Sequence, residues 1–277
     1  MIRESFETPA PVTLDLSIPE GRIDIETVDG TTTEVELDAR GNEDEVRETL
    51  EGAQIEHRAT GKGHEVTVDL RDRRRLGFGF WRKVDVRLSI RAPHGAHVRT
   101  DSASADVSGR GRYGSLDAKT ASGDVEFEEV EGEAHVRAAS GDVAVRSIGG
   151  DASVNSASGD VELGRVGGET SVKTASGDVT VGDAGGGVSV ATASGDQRIE
   201  AVTAGSVSLQ SASGDIEIGI RQGSNVWVDA RAMSGDTRSE LELADAPPDD
   251  DAPLVELRAA SMSGDVTVRR AHTRVEN

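Results

Sequence analysis

Nine aspartates recur in nearly one context. Asp106 sits in "SASADV", and Asp124, Asp142, Asp160, Asp178, Asp196, Asp215, Asp236 and Asp265 each follow a Ser-Gly pair. Successive gaps are 18, 18, 18, 18, 18, 19, 21 and 29 residues. Carboxylates at fixed spacing have three uses. A column can bind cations, a pair can serve as acid and base on a glycosidic bond, and single carboxylates can accept backbone N–H bonds where no ladder partner exists. The calcium-binding solenoid signature is G-G-x-G-x-D-x-U-x. Here the motif glycine directly precedes the aspartate, and "GGGVSV" and "GGDASV" lack the glycine-x-aspartate that would complete such a site. Aspartates one coil apart repel by only about 1 kcal/mol in water, which solvent, salt or hydrogen bonds absorb without a metal. The pairs Gly123–Asp124, Gly141–Asp142, Gly159–Asp160, Gly177–Asp178, Gly195–Asp196, Gly214–Asp215, Gly235–Asp236 and Gly264–Asp265 therefore read as a structural turn motif. Glycine supplies positive φ, and Ser and Asp hold nearby backbone N–H groups.

The remaining chemistry-bearing residues are sparse. The serine of the motif recurs in every copy, and a nucleophile repeated eight times is not an active site. Six histidines are scattered, and "PHGAH" at 93–97 has no nearby carboxylate pattern. No G-x-S-x-G, P-loop or H-E-x-x-H occurs. Zero cysteines exclude disulfides and thiolate metal sites. These readings predict no enzyme activity, no metal and no cofactor.

Five equal intervals mark an array, and the array must position the motif. One and three places after the aspartate come Val125 and Phe127, Val143 and Val145, Val161 and Leu163, Val179 and Val181. A second glycine follows at Gly132, Gly150, Gly168 and Gly186, then another alternating run. Period two places alternate side chains on opposite faces of a strand. Each 18-residue unit thus gives two short strands that cannot bury their apolar face alone, and stacking units buries it. The predicted fold is all-β: a single-chain parallel β-solenoid, or β-helix, with coils of about 18 residues that stack roughly 40 Å high.

Residues 1–100 fall outside this frame but alternate too, in "VTLDLSI" (12–18), "GRIDIET" (21–27), "TEVELDA" (33–39), "HEVTVDL" (64–70) and "KVDVRLSI" (83–90). They read as an N-terminal cap of hairpins and irregular coils, with residues 101–277 as the regular solenoid. "NEDEVRETLEG" predicts one short helix with Asn42 as N-cap and Glu45 at N3. Clustered acids and prolines at 243–254 predict a solvated loop.

The net charge is −21, which disfavours a nucleic-acid partner. Four lysines against 26 arginines suit a GC-rich genome or a salt-adapted host. "RDRRRLGFGFWRK" (71–83) stands apart, with six basic residues and three of the seven aromatics. The plain reading is a hairpin tip packed on the solenoid end. The sharper one is a contact patch of Arg73, Arg74, Arg75, Phe78, Phe80 and Trp81 for an anionic partner or a membrane surface. The start "MIRESFETPA" carries no apolar run, and no stretch approaches the ~20 apolar residues of a membrane helix. The chain reads as cytoplasmic.

The "SGDV" copies at 122–125, 140–143, 158–161 and 176–179, the segment "VDVRLSIRAPHGAHVRTDSASADV" (84–107) and "EGRIDIETVDG" (20–30) resemble the bacterial and archaeal "putative adhesin" family, a domain of unknown function built of β-strand repeats. The resemblance covers nearly the whole chain. It implies the solenoid architecture and carries over no catalytic residue. The expected function is a non-enzymatic scaffold or interaction protein, adhesin-like by shape, that presents a rigid acidic face to a protein or envelope partner. Two alternatives are a self-assembling, cytoskeleton-like filament and, more distantly, a polysaccharide-active β-helix enzyme.

Overall fold

Alternation of apolar with polar residues drives most strands of the computed structural model, which describes residues 1–9, 11–61, 63–70, 84–241 and 252–271. Among the described residues are 22 strands and one helix, and the fold is an all-β parallel solenoid. The chain divides into two compact units, Met1–Gly141 and Asp142–Asn277. Arg73, Arg74, Arg75, Phe78, Phe80 and Trp81 lie outside the described residues, as do 243–251 of the acidic loop.

Unit 1 contains β1 (Ile2–Glu7), β2 (Val12–Val28), β3 (Thr32–Arg40), α1 (Glu43–Gly52), β4 (Gln54–Thr60), β5 (Gly63–Asp69), β6 (Asp85–Pro93), β7 (Ala96–Thr120), β8 (Val125–Val130) and β9 (Ala134–Ala138). β2 runs parallel to β7 from Thr13↔His97 to Glu26↔Arg110. Its other edge pairs in parallel with β5 and β6. β2 thus lies between two layers that the chain builds later. It turns at Gly21, where φ is +122° and a Cβ would overlap the Val86 carbonyl. Antiparallel pairs complete the end: β3 on β6, β1 on β3, and β4 on β5. The predicted helix is present as α1. Asn42 caps it by accepting the Asp44 N–H at 3.0 Å, and Glu43, Asp44 and Glu45 complement the positive end of its dipole.

Unit 2 contains β10 (Val143–Ile148), β11 (Ala152–Ser156), β12 (Val161–Val166), β13 (Thr170–Ser176), β14 (Val179–Ala184), β15 (Val188–Ser194), β16 (Gln197–Val202), β17 (Gly205–Ser213), β18 (Ile216–Ile220), β19 (Asn225–Ser234), β20 (Thr237–Ser239), β21 (Leu254–Ser263) and β22 (Val266–Arg270). Strands of successive coils pair in parallel with identical columns: Val143↔Val161↔Val179, Val145↔Leu163↔Val181 and Ile148↔Val166↔Ala184. The other strand of each coil stacks Val154↔Val172↔Val190. All these side chains are buried. Burying each valine, leucine or isoleucine contributes about 1.5–3 kcal/mol, which two isolated strands could not collect.

The chain order is not the stacking order at the end of unit 2. β17 pairs with β21, and β21 pairs with β19. Likewise β18 pairs with β22, and β22 pairs with β20. The last coil in sequence is therefore inserted beneath the one that precedes it. Composition gives the reason. β21 and β22 carry Val255, Leu257, Val266 and Val268 into the core columns, all fully buried. The outer coil places Thr237 and Ser239 opposite Val266 and Val268. The more apolar coil takes the inner position, and the more polar one faces solvent.

Candidate functional site

The motif aspartates line one corner of each unit, and their carboxylates bond to backbone. In unit 1 the Asp124 N–H donates to Asp106 Oδ1 at 3.2 Å. In unit 2 the N–H groups of Asp160, Asp178, Asp196 and Asp215 donate to Oδ1 of Asp142, Asp160, Asp178 and Asp196, each at 2.8 Å. The series continues in stacking order rather than chain order: Asp265 N–H to Asp215 Oδ1 at 2.7 Å, then Asp236 N–H to Asp265 Oδ1 at 2.8 Å. The aspartate carbonyls also reach the coil before, accepting from Val161 N–H at Asp178 and from Val179 N–H at Asp196, both at 2.9 Å. A hydrogen bond to a charged acceptor contributes about 1.5–3 kcal/mol. That exceeds the ~1 kcal/mol of repulsion between neighbouring carboxylates in water.

The glycine before each aspartate meets two demands. At Gly177 φ is +118°, and a Cβ would collide with the Gly159 carbonyl oxygen. Gly141, Gly159, Gly195, Gly214, Gly235 and Gly264 also have positive φ. Gly123 does not, although a Cβ there would strike the Ala105 carbonyl. It stacks on the degenerate first copy, where Ala105 replaces glycine and no residue other than glycine has positive φ.

A second acid ladder at the opposite corner is invisible to the motif. Asp151 Oδ1 accepts the Glu169 N–H at 2.8 Å, and Glu169 Oε1 accepts the Gly187 N–H at 3.1 Å. These acids directly follow the second glycine, Gly150 and Gly168. The signal was their 18-residue spacing, masked because the column alternates Glu, Asp and Gly.

The other candidates disperse. His94 Nδ1 meets Thr27 Oγ1 at 3.0 Å, whereas His97 Nδ1 meets Ser115 Oγ at 2.8 Å, so the "PHGAH" pair serves two partners. His57 Nε2 and His64 Nδ1 lie 3.0 Å apart across the β4–β5 hairpin. Tyr113, the single tyrosine, is fully buried. Its hydroxyl is 2.7 Å from the Ile25 carbonyl and 3.0 Å from that of Arg110, and its ring meets Phe127 edge-on. Burial first, and then the charge of Glu128, push its pKa well above the usual phenol value. Two surface hollows lie in unit 1. One is lined by Glu20, Gly21, Val84, Asp85 and Ser104, and the other centres on Asp29 to Thr32 with Arg91. Among the described residues no helix is long and apolar enough to cross a membrane, and no three acids or histidines cluster as metal ligands.

The family model described as Toastrack DUF4097 matches residues 13–269. The chain is similar to a solved structure from Clostridium sporogenes described as a "putative cell adhesion protein". The two share 8% identity over 97% of this chain and 99% of that one, at a TM-score of 0.30. It is also similar to a "putative adhesin" from Bacteroides fragilis, with 14% identity over 97% and 96% of the two chains and a TM-score of 0.42. No curated protein matches the chain. With its coils, its corner glycines and a match over nearly its full length, the chain belongs to the Toastrack family, a domain of unknown function.

Proposed function

We propose that the protein is a non-enzymatic scaffold whose coils hold an acidic outward face rigid for a protein or envelope partner. The observation that carries this reading is a division of labour among the acids. The motif aspartates are engaged by the backbone of the neighbouring coil. Other acids stand outward, and on the coil of β8 and β9 these include Glu126, Glu131 and Glu133, all exposed. Stacked strands fix their spacing, so a cationic partner would meet a preset pattern. The corner glycines and aspartates are structural elements in this reading, and 71–83 offers a second contact of opposite charge.

Binding is measured between the full chain and a membrane-envelope extract or a cationic protein at low and high salt. The proposal expects binding that weakens with salt and falls with the triple variant Glu126→Lys, Glu131→Lys and Glu133→Lys, with the fold unchanged by circular dichroism. Release of reducing sugar from an envelope polysaccharide, lost on replacing Glu20 or Asp85, would overturn it in favour of an enzyme.

A further inference from the structure

The outer coil of unit 2 is unlike the coils beneath it. Among the described residues the exposed large apolar side chains other than Met1 are Trp227, Val228, Met233, Leu254 and Met262, all on β19 and its neighbour β21. β19 pairs with β21 on one edge, and no second strand partner is found among the described residues. Its core-facing Val228 is 38% exposed, whereas Leu257, one coil further in and in register with it, is 0% exposed. A partly apolar strand paired on one edge is a template for another strand.

The sequence of β19 specifies which strand. In an antiparallel pair, residues directly opposite point to the same face. A two-fold axis through Ala230 sets Asp229 opposite Arg231 of the second copy, and Arg231 opposite Asp229 of that copy. The same axis sets Trp227 opposite Met233, both exposed at 49% and 81%, and Val228 opposite Ala232 on the core side. No neighbouring register does this. An axis through residue 229 opposes two aspartates, and one through residue 231 opposes two arginines. An axis between residues would set core-facing against outward side chains. At present Asp229 and Arg231 form a pair within one strand, at 2.9 Å and exposed to solvent, so both charges are already ordered on the outward face.

We infer that β19 is a self-complementary edge through which two copies of this chain join, antiparallel about Ala230, into a closed dimer. A two-fold contact of this kind is isologous: it uses both edges and stops at two copies. The inference is independent of what the outward acids bind.

Sedimentation of the full chain from low to high micromolar concentration, with single charge reversals, tests it. Wild type is expected to pass from monomer to dimer. Asp229→Arg alone, and Arg231→Asp alone, each turn two attractive pairs into repulsive ones and weaken the dimer by at least about tenfold. The double reversal Asp229→Arg with Arg231→Asp restores it. Mixing the two single variants also restores it, as a heterodimer, so the result survives if either variant is less stable by itself. A wild type that stays monomeric, an open-ended polymer, or a dimer indifferent to single reversal would overturn the inference.

Discussion

At the scale of single residues, the motif aspartate is an acceptor placed where the sheet ladder breaks. Asp178 illustrates this, because it donates to the coil before and its carboxylate accepts from the coil after. Asp178→Ala removes the acceptor and leaves the Asp196 N–H to water at an exposed corner, costing about 1–2 kcal/mol. Asp178→Asn keeps an acceptor oxygen and retains most of the stability. Urea unfolding with calcium and with chelator should give the same midpoints for each protein. Tyr113 supports a second prediction, about pH. Its phenol is held protonated by burial, so the folded-state pKa lies above the ordinary 10.0. The folded state then keeps a proton that the unfolded chain releases. The associated stability is fully present below pH 10.0 and is lost as pH rises beyond it. Tyr113→Phe should cost about 1–2 kcal/mol at neutral pH by removing the one O–H donor that the Ile25 and Arg110 carbonyls share. Its deficit relative to wild type should shrink in alkaline urea titrations.

At the scale of elements, each coil is a repeat of core columns, and Gln197 departs from its column. It replaces the valine or isoleucine found at Val161, Val179 and Ile216 and is 1% exposed. Its Nε2 donates to Thr192 Oγ1 at 2.9 Å and to the Gln210 carbonyl at 2.7 Å, but its Oε1 is buried without a hydrogen-bond partner. Gln197→Val should therefore be neutral, or stabilising by up to about 1 kcal/mol. Leu163→Ala, in a fully buried column, should cost about 2–5 kcal/mol. Thermal unfolding of the two variants compares them directly. This scale was also the most legible from sequence. The 18-residue period and the alternation of Val143 and Val145 were enough for the solenoid, and Asn42 for the helix. The long β2 was harder, because "VTLDLSI" and "GRIDIET" look like two strands until Gly21 joins them by positive φ. The second acid ladder was hidden because backbone bonding tolerates Asp151 or Glu169 alike. Nothing in local pattern says that the partner of Thr13 is His97, since a long-range register depends on the whole stack.

At the scale of the molecule, both units place a chain-terminal coil inside the stack instead of at its edge. β2 lies between β7 on one side and β5 with β6 on the other, and β21 lies between β17 and β19. Insertion of this kind leaves the outer positions to other strands: antiparallel β1 and β4, the polar β20, and β19 with Asp229 and Arg231 on its outward face. That bears on assembly. A filament grown by coil-on-coil addition needs parallel, apolar edges, whereas charged edge residues such as Arg231 and Arg238 restrict which strand can dock. The aspartate ladder follows the same detour, running from Asp215 to Asp265 to Asp236. This stacking order joins the ladder, the apolar columns and the outer position of β19 in one scheme.

Oxidative cross-linking tests that order most directly, because the chain has no cysteine of its own. Ser263 is in register with both Ser213 and Ser234. Paired strands lie about 5 Å apart, within disulfide reach, and strands two coils apart about 10 Å, beyond it. The double variants Ser213→Cys/Ser263→Cys and Ser234→Cys/Ser263→Cys should oxidise readily in the folded protein, and Ser213→Cys/Ser234→Cys should stay reduced. Ready bridging of the last pair, with the first left reduced, would contradict the account by showing coils stacked simply in chain order.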